Sequence, residues 1–180
     1  VGTVNIAGST FINNTATNHG GAIYGNTINV NDSIFMNNTA KLSGGAIYGN
    51  TKVTVVGSVF ENNVANNPSA VSGGGAIFGN MDVKDSIFIN NYAVARGGAL
   101  YGYGTVRNLI LINNSASNAG GAINYITSTL NIYNSTFIDN KASSFGGGAI
   151  FGDNGNSAYL NVYDSKFIRN IAVNANGGGI

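Results

Sequence analysis

Cysteine and tryptophan are absent from this 180-residue chain, and proline and histidine occur once each. Without cysteine there are no disulfide staples, thiolate zinc sites or thiol nucleophiles. With His19 as the only imidazole, a His-rich metal site is excluded, and a Ser-His-Asp triad would have to use that residue. Charge is scarce too. Only 8% of residues are Asp, Glu, Lys or Arg, against roughly 25% in an ordinary soluble domain. Eight cations against seven anions leave a net charge of +1, so the concentrated basic patch that nucleic acid or an anionic bilayer requires is missing. No run of 18 apolar residues exists to read as a membrane span. Hydrophobic residues still reach 43%, enough for a core and too many for charge-driven disorder.

What the chain has in excess is Gly (27) and Asn (31), and both are periodic. Gly-Gly-Ala-Ile/Leu recurs with its Ala at 22, 46, 76, 99, 122 and 149, and Gly-Gly-Gly-Ile closes the chain at 177–180. A second string, Phe-x-x-Asn-x-Ala, alternates with it. It begins at Phe11, Phe35, Phe60, Phe88, Phe137 and Phe167, with Leu111 in the fifth copy. Its Asn is present in all seven copies: Asn14, Asn38, Asn63, Asn91, Asn114, Asn140 and Asn170. Copies lie 23 to 30 residues apart. Two residues before each Phe stands Ser, replaced by Leu109 in the fifth copy. Before that stands Gly8, Asp32, Gly57, Asp85, Asn108, Asn134 or Asp164, all residue types that tolerate a left-handed bend. Upstream again come alternating apolar pairs such as Ile28/Val30 and Val53/Val55, whose period of two reads as strand.

One repeat therefore reads as three short strands joined by corners. They are the alternating pair, then Ser-x-Phe ending at the Asn, then Gly-Gly-Ala-Ile-Tyr ending at Gly25, Gly49, Gly79, Gly102 or Gly152. About 25 residues with three short strands is the size of one coil of a parallel β-helix. The fold class is all-β, a single-stranded parallel β-helix of about seven coils, and residues 1–180 form one such segment. The chain starts Val-Gly-Thr without a Met and stops inside a repeat. It reads as a fragment of a longer repeat protein, lacking caps at both ends.

Stacking at about 4.8 Å gives each column a task. Phe over Phe fills the core, and Asn over Asn forms an amide ladder. The neighbours of the Phe column then point outward: Ile34, Met36, Ile87, Ile89, Ile110, Ile112, Ile138 and Ile168 among them. That stripe reads either as a lateral interface or as β-branched residues that suit a strand. In the third strand the unbroken aliphatic column Ile23 to Ile150 belongs inside. The aromatics Tyr24, Tyr48, Phe78, Tyr101 and Phe151 then belong outside, as a ladder that stabilises itself or takes sugar rings. Insertions at 66–72 and 153–158 break the regularity.

Catalytic chemistry finds little footing. Asp32, Asp85 and Asp164 are explained by the bend. Glu61, Asp82, Asp139 and Asp153 fall in different columns or coils, with no facing pair for a glycosidase. Asp139 and Arg169 share a column and predict a surface ion pair, while Lys84 and Arg107 make a small basic spot. The glycine strings lack the Lys-Ser/Thr of a phosphate loop. Asn13, Asn31, Asn37, Asn113 and Asn134 stand in Asn-x-Ser/Thr acceptor sites. No cofactor or metal is called for.

Ser-x-Phe-x-x-Asn-x-Ala followed by Gly-Gly-Ala-Ile-Tyr resembles, over essentially the whole chain, two related groups. One is the chlamydial-type polymorphic outer-membrane proteins. The other is the large adhesin-like surface proteins of methanogenic archaea, whose low charge and Asn richness are the closer likeness. The resemblance implies a right-handed β-helix on an extracellular, cell-surface protein. It also implies a non-enzymatic role in attachment or wall assembly. A surface glycan or protein is the expected partner, or a second copy through the apolar stripe. The alternative is a carbohydrate-active β-helix, lyase or hydrolase, whose catalytic coils lie elsewhere.

Overall fold

A computed structural model describes residues 2–69, 71–152 and 158–180. Among them there is no helix; every strand pairs in parallel with its equivalent one coil away. Three sheets run the length of the solenoid. The Phe sheet stacks seven three-residue strands, from Thr10–Ile12 to Lys166–Ile168. The Ala sheet stacks seven two-residue strands, from Thr15–Ala16 to Ile171–Ala172. The broad sheet carries the long strands Ile23–Asn31, Ile47–Val56, Ile77–Lys84, Leu100–Arg107 and Ile123–Tyr133, with shorter strands at either end. A parallel β-helix with three strands per coil is thus the observed fold. We number its levels 1 to 7 by the Phe-sheet strand.

The strand boundaries differ from the sequence reading. Gly-Gly-Ala-Ile-Tyr is not a separate third strand: its Ile-Tyr runs on through the glycine into the next alternating pair, as in Ile23–Asn31. The glycine marks a bulge, with register shifts at Gly25/Thr27, Phe78/Met81 and Gly102/Gly104. A bulge changes the inward–outward alternation without ending the ladder, so Ile23, Gly25 and Ile28 all face the core. The third strand is instead the x-Ala pair, read from sequence only as a tight corner.

Each coil turns three corners, and all three use left-handed backbone. The first is the expected bend column, Gly8 to Asp164, with φ from 46° to 61°. The second, not anticipated, is Asn13, Asn37, Asn62, Asn90, Asn113, Asp139 and Arg169, with φ from 51° to 58°. The third is the first Gly of Gly-Gly: Gly20, Gly44, Gly74, Gly97, Gly120, Gly147 and Gly177. An L-residue with a longer side chain pays about 1–2 kcal/mol in this conformation, so Arg169 is the exception that asks for a cause. Its guanidinium makes a bidentate contact with Asp139 one level below, Nε to Oδ1 at 2.8 Å and Nη2 to Oδ2 at 2.7 Å.

The core holds Phe35, Phe60, Phe88 and Phe137 fully buried, together with the inward Ile, Val and Leu of the broad sheet. Phe11, Phe35, Phe60 and Phe88 stack in sequence with centroids 4.8 Å apart, and Phe137 stacks on Phe167 at 4.7 Å. The gap in the ladder is level 5. There Leu111 and Leu109 are both buried, so aliphatic bulk closes the core where Phe and Ser are missing.

Candidate functional site

The seven ladder amides line the corner between the Phe and Ala sheets. Asn38, Asn63, Asn91, Asn114 and Asn140 have no solvent exposure. Each is fully hydrogen-bonded. The Nδ2 of Asn91 donates to Oδ1 of Asn114 and to the Phe60 carbonyl, both at 3.0 Å. Its Oδ1 accepts from the backbone N–H and Nδ2 of Asn63, again at 3.0 Å. Two donors and two lone pairs are the whole capacity of an amide, and the pattern repeats from Asn14 to Asn170. The Ser column makes a second ladder that the sequence reading missed. Ser33 Oγ accepts from the backbone N–H of Ser9 and donates to the Asn31 carbonyl. These columns are scaffold. Their polar atoms are consumed internally and offer nothing to a ligand.

The outward stripe of the Phe sheet is mainly apolar, with Thr10, Thr136 and Lys166 as interruptions. Ile12 (49% exposed), Ile34 (40%), Ile110 (41%) and Ile168 are open to solvent, while Met36, Ile87, Ile89, Ile112 and Ile138 are half-buried on the same face. Glu61 is the one acidic side chain in it.

The aromatic column corrects an expectation. Tyr24, Tyr48, Phe78 and Tyr101 do stack, at centroid separations of 5.5, 4.6 and 5.2 Å. They lie open only at one end, however: Tyr24 is 47% exposed, Tyr48 and Phe78 are half-buried, Tyr101 is 2% exposed, and Asn124 in the same column is buried. The loop before Gly-Gly roofs them. His19 tilts onto Tyr48 at 4.2 Å, and a side chain at Gly73 would press against Tyr101. Because the rings spend their faces on each other, a pyranose finds no free face between them. His19 is therefore a packed residue rather than a solvated loop residue. Its Nδ1 is buried without a hydrogen-bond partner, and burial lowers its pKa. Asn18, His19, Tyr24 and Leu42 line a shallow groove of about 430 Å³ beside it.

A second groove, about 540 Å³, lies mid-molecule on the outer face of the broad sheet and contains the basic spot. Lys84 and Arg107 stand side by side in register. The Arg107 guanidinium leans over the Tyr133 ring at 5.5 Å, and Tyr133 stacks on Tyr163 at 5.1 Å. Asp82 and Asp85 lie beside Lys84. The sequence had the charges in view but not the groove, because side-chain length on the neighbouring coil decides it.

Of the remaining carboxylates, Asp139 is paired as expected. The hydrogen bond from Arg169, helped by its charge, holds the Asp139 carboxyl below its ordinary pKa. A depressed carboxyl pKa contributes stability that is present above the unfolded-state value and lost as pH falls through the folded one. Asp139→Asn should therefore lower the urea midpoint slightly at pH 6 and leave it unchanged at pH 2. Equal midpoints at both pH values would show that the pair contributes nothing. Asp153 lies outside the described residues. Among the described residues, no group of three or more His, Asp or Glu could hold a metal ion, and no helix is long and apolar enough to cross a membrane.

Three segments, residues 8–26, 32–50 and 85–103, match the family model of the Chlamydia polymorphic membrane protein repeat. No curated protein and no solved structure gives a significant match. The three segments share one frame. Each starts at a left-handed bend residue, Gly8, Asp32 or Asp85, crosses the Phe and Ala sheets, and ends just past the first bulge glycine of the broad sheet. At three of its seven levels the solenoid is similar to the repeat of the Chlamydia polymorphic membrane proteins.

Proposed function

We infer that the chain is a non-enzymatic solenoid of a cell-surface protein, serving attachment or the building of a surface layer. The observation that carries this reading is the polymorphic membrane protein repeat, matched in one frame at three levels of a regular rod. The construction agrees with it. Seven strands at about 4.8 Å give a rod roughly 30 Å long, and nearly every buried polar group in the repeat columns serves the stacking. Surface exposure is tested on intact source cells with a membrane-impermeant amine reagent. All five lysines, Lys41, Lys52, Lys84, Lys141 and Lys166, are exposed for labelling. The protein should be labelled before lysis; labelling only after lysis overturns the reading.

The apolar Phe-sheet face favours lateral self-association as the second part of this role. Three residues wide and about 30 Å long, the stripe covers a few hundred Å², well below the ~800 Å² per partner of a standard stable interface. Contacts through it are therefore weak and need many copies in a row. Sedimentation velocity should show association that rises with concentration and disappears in Ile34→Lys/Ile110→Lys. A wild-type chain that stays monomeric at all concentrations removes self-association from the role.

A further inference from the structure

The groove around Lys84 and Arg107 exists because adjacent coils differ in side-chain length. On level 3 the outer row is short: Thr54, Val56 and then Gly57 at the corner. On level 4 the residues in register are Asp82, Lys84 and Asp85, and on level 5 come Arg107 and Asn108. The step leaves a notch with a floor of Thr54 and Val56 and a wall of charged side chains.

The charges in that wall are unusual for this chain. Like charges directly opposite on neighbouring strands repel, and the same column is neutral at every other level: Ala7, Asn31, Val56, Tyr133 and Tyr163. Two of only eight cations nonetheless stand together there. No salt bridge joins either to Asp82 or Asp85. Arg107 turns toward Tyr133, on the side away from Lys84. Asp85 Oδ1 is held by the Asn108 amide at 2.7 Å, and Asn108 Oδ1 in turn accepts from Asn134 at 2.9 Å. The acid is thereby fixed at the corner rather than drawn onto Lys84.

We propose that this groove binds a uronic acid unit of an acidic polysaccharide. Two cations side by side on one groove suit one carboxylate, which takes charge-assisted hydrogen bonds from them. The two acids beside them repel a second negative charge, so a polyanion such as an acidic peptide is disfavoured. Carboxylate oxygens and the Thr54 hydroxyl are the acceptors that sugar hydroxyls need. A ligand with one negative charge and several hydroxyl donors matches this lining; a neutral sugar offers neither cation a charge-assisted hydrogen bond. The volume, about 540 Å³, falls within the range of small-ligand sites.

The groove is on a different sheet from the apolar stripe. Binding is measured on the isolated chain, so this proposal and the cell-surface reading can each fail without the other. The test is an amide-resolved NMR titration of the 180-residue chain with three probes: a trigalacturonate, a neutral trisaccharide and a triglutamate peptide. Trigalacturonate should give saturable shifts centred on Thr54, Lys84 and Asn108. The other two should bind at least about tenfold more weakly, the equivalent of one charge-assisted hydrogen bond. Lys84→Gln and Arg107→Gln should each weaken trigalacturonate by a similar factor, with the rest of the amide spectrum in place to report folding. Lys41→Gln, on a distant surface, should change nothing. No saturable shift, binding of the neutral trisaccharide or the triglutamate as tight as that of trigalacturonate, or full affinity in the Lys84→Gln/Arg107→Gln double variant overturns the proposal. If the peptide binds best, the groove belongs to an acidic protein partner instead.

Discussion

Asn91→Ala should destabilise the solenoid by about 3–5 kcal/mol, because truncation strands several buried polar groups at once. The Nδ2 and backbone N–H of Asn63 lose their acceptor, while the Phe60 carbonyl and Asn114 Oδ1 lose a donor. None of these atoms can reach water, since Asn63, Asn91 and Asn114 are all fully buried. The neighbouring residue provides the control. Asn90 is the same residue type, but it is exposed and sits at the left-handed corner with φ 54°. Asn90→Ala should cost only about 1 kcal/mol, the conformational penalty of that region. Urea midpoints of the two variants, compared with wild type, separate the roles. Equal midpoints would mean that the ladder contributes no more than the bend. Since each coil contacts only its neighbours, the damage should also localise. Hydrogen exchange in Asn91→Ala should quicken first at levels 3 to 5.

Gly98→Ala should be at least as severe, at the top of the overpacking range or about 3 kcal/mol and more. A methyl at this position would overlap the Gly121 carbonyl oxygen one level above and lie 2.5 Å from the Ser115 nitrogen. All of these are backbone atoms, so no rotamer change relieves the clash. The same holds for the second glycine of the motif at Gly21, Gly45, Gly75, Gly121 and Gly148, each aimed at the carbonyl of the next. Gly8→Ala isolates the other reason for glycine. Gly8 has φ +54° and nothing within 4 Å of a built Cβ, so only the left-handed penalty of about 1–2 kcal/mol applies. Thermal denaturation should rank Gly98→Ala far below Gly8→Ala. The reverse order would show that the coils have slack where the backbones meet.

These pairs show where the sequence is legible and where it is not. Asn90 and Asn91, or Gly97 and Gly98, are indistinguishable as letters, yet one of each pair turns the chain and the other fills a place. Column position separates Asn91 from its neighbour, because the amide seven times in register can only be a stack. It does not separate the corner column. Asp139 and Arg169 stand there beside five Asn, and an Asn-rich chain hides the pattern. The bulge glycines were misread for a related reason. Gly punctuates corners and bulges alike, and only the register between coils tells Gly25 from Gly20. The buried face of Tyr101 was out of reach as well. Period two says which side of a strand a ring leaves from, but not that a loop from the preceding coil folds over it.

The sequence alone determined the parallel stack, the level count, the Phe and Asn columns and the absence of a cysteine- or His-rich metal chemistry. Each of those follows from residue type repeated at a fixed interval, and in a solenoid the interval is the fold. Tertiary structure decided which polar atoms are consumed, that the Tyr48 and Tyr101 rings are roofed by loops, and that Lys84 and Arg107 border a notch. Those depend on differences between one coil and the next, such as Gly57 beside Asp85 or Val56 beside Lys84. A repeat reading averages such differences away, and only the stacked side chains convert them into shape and charge.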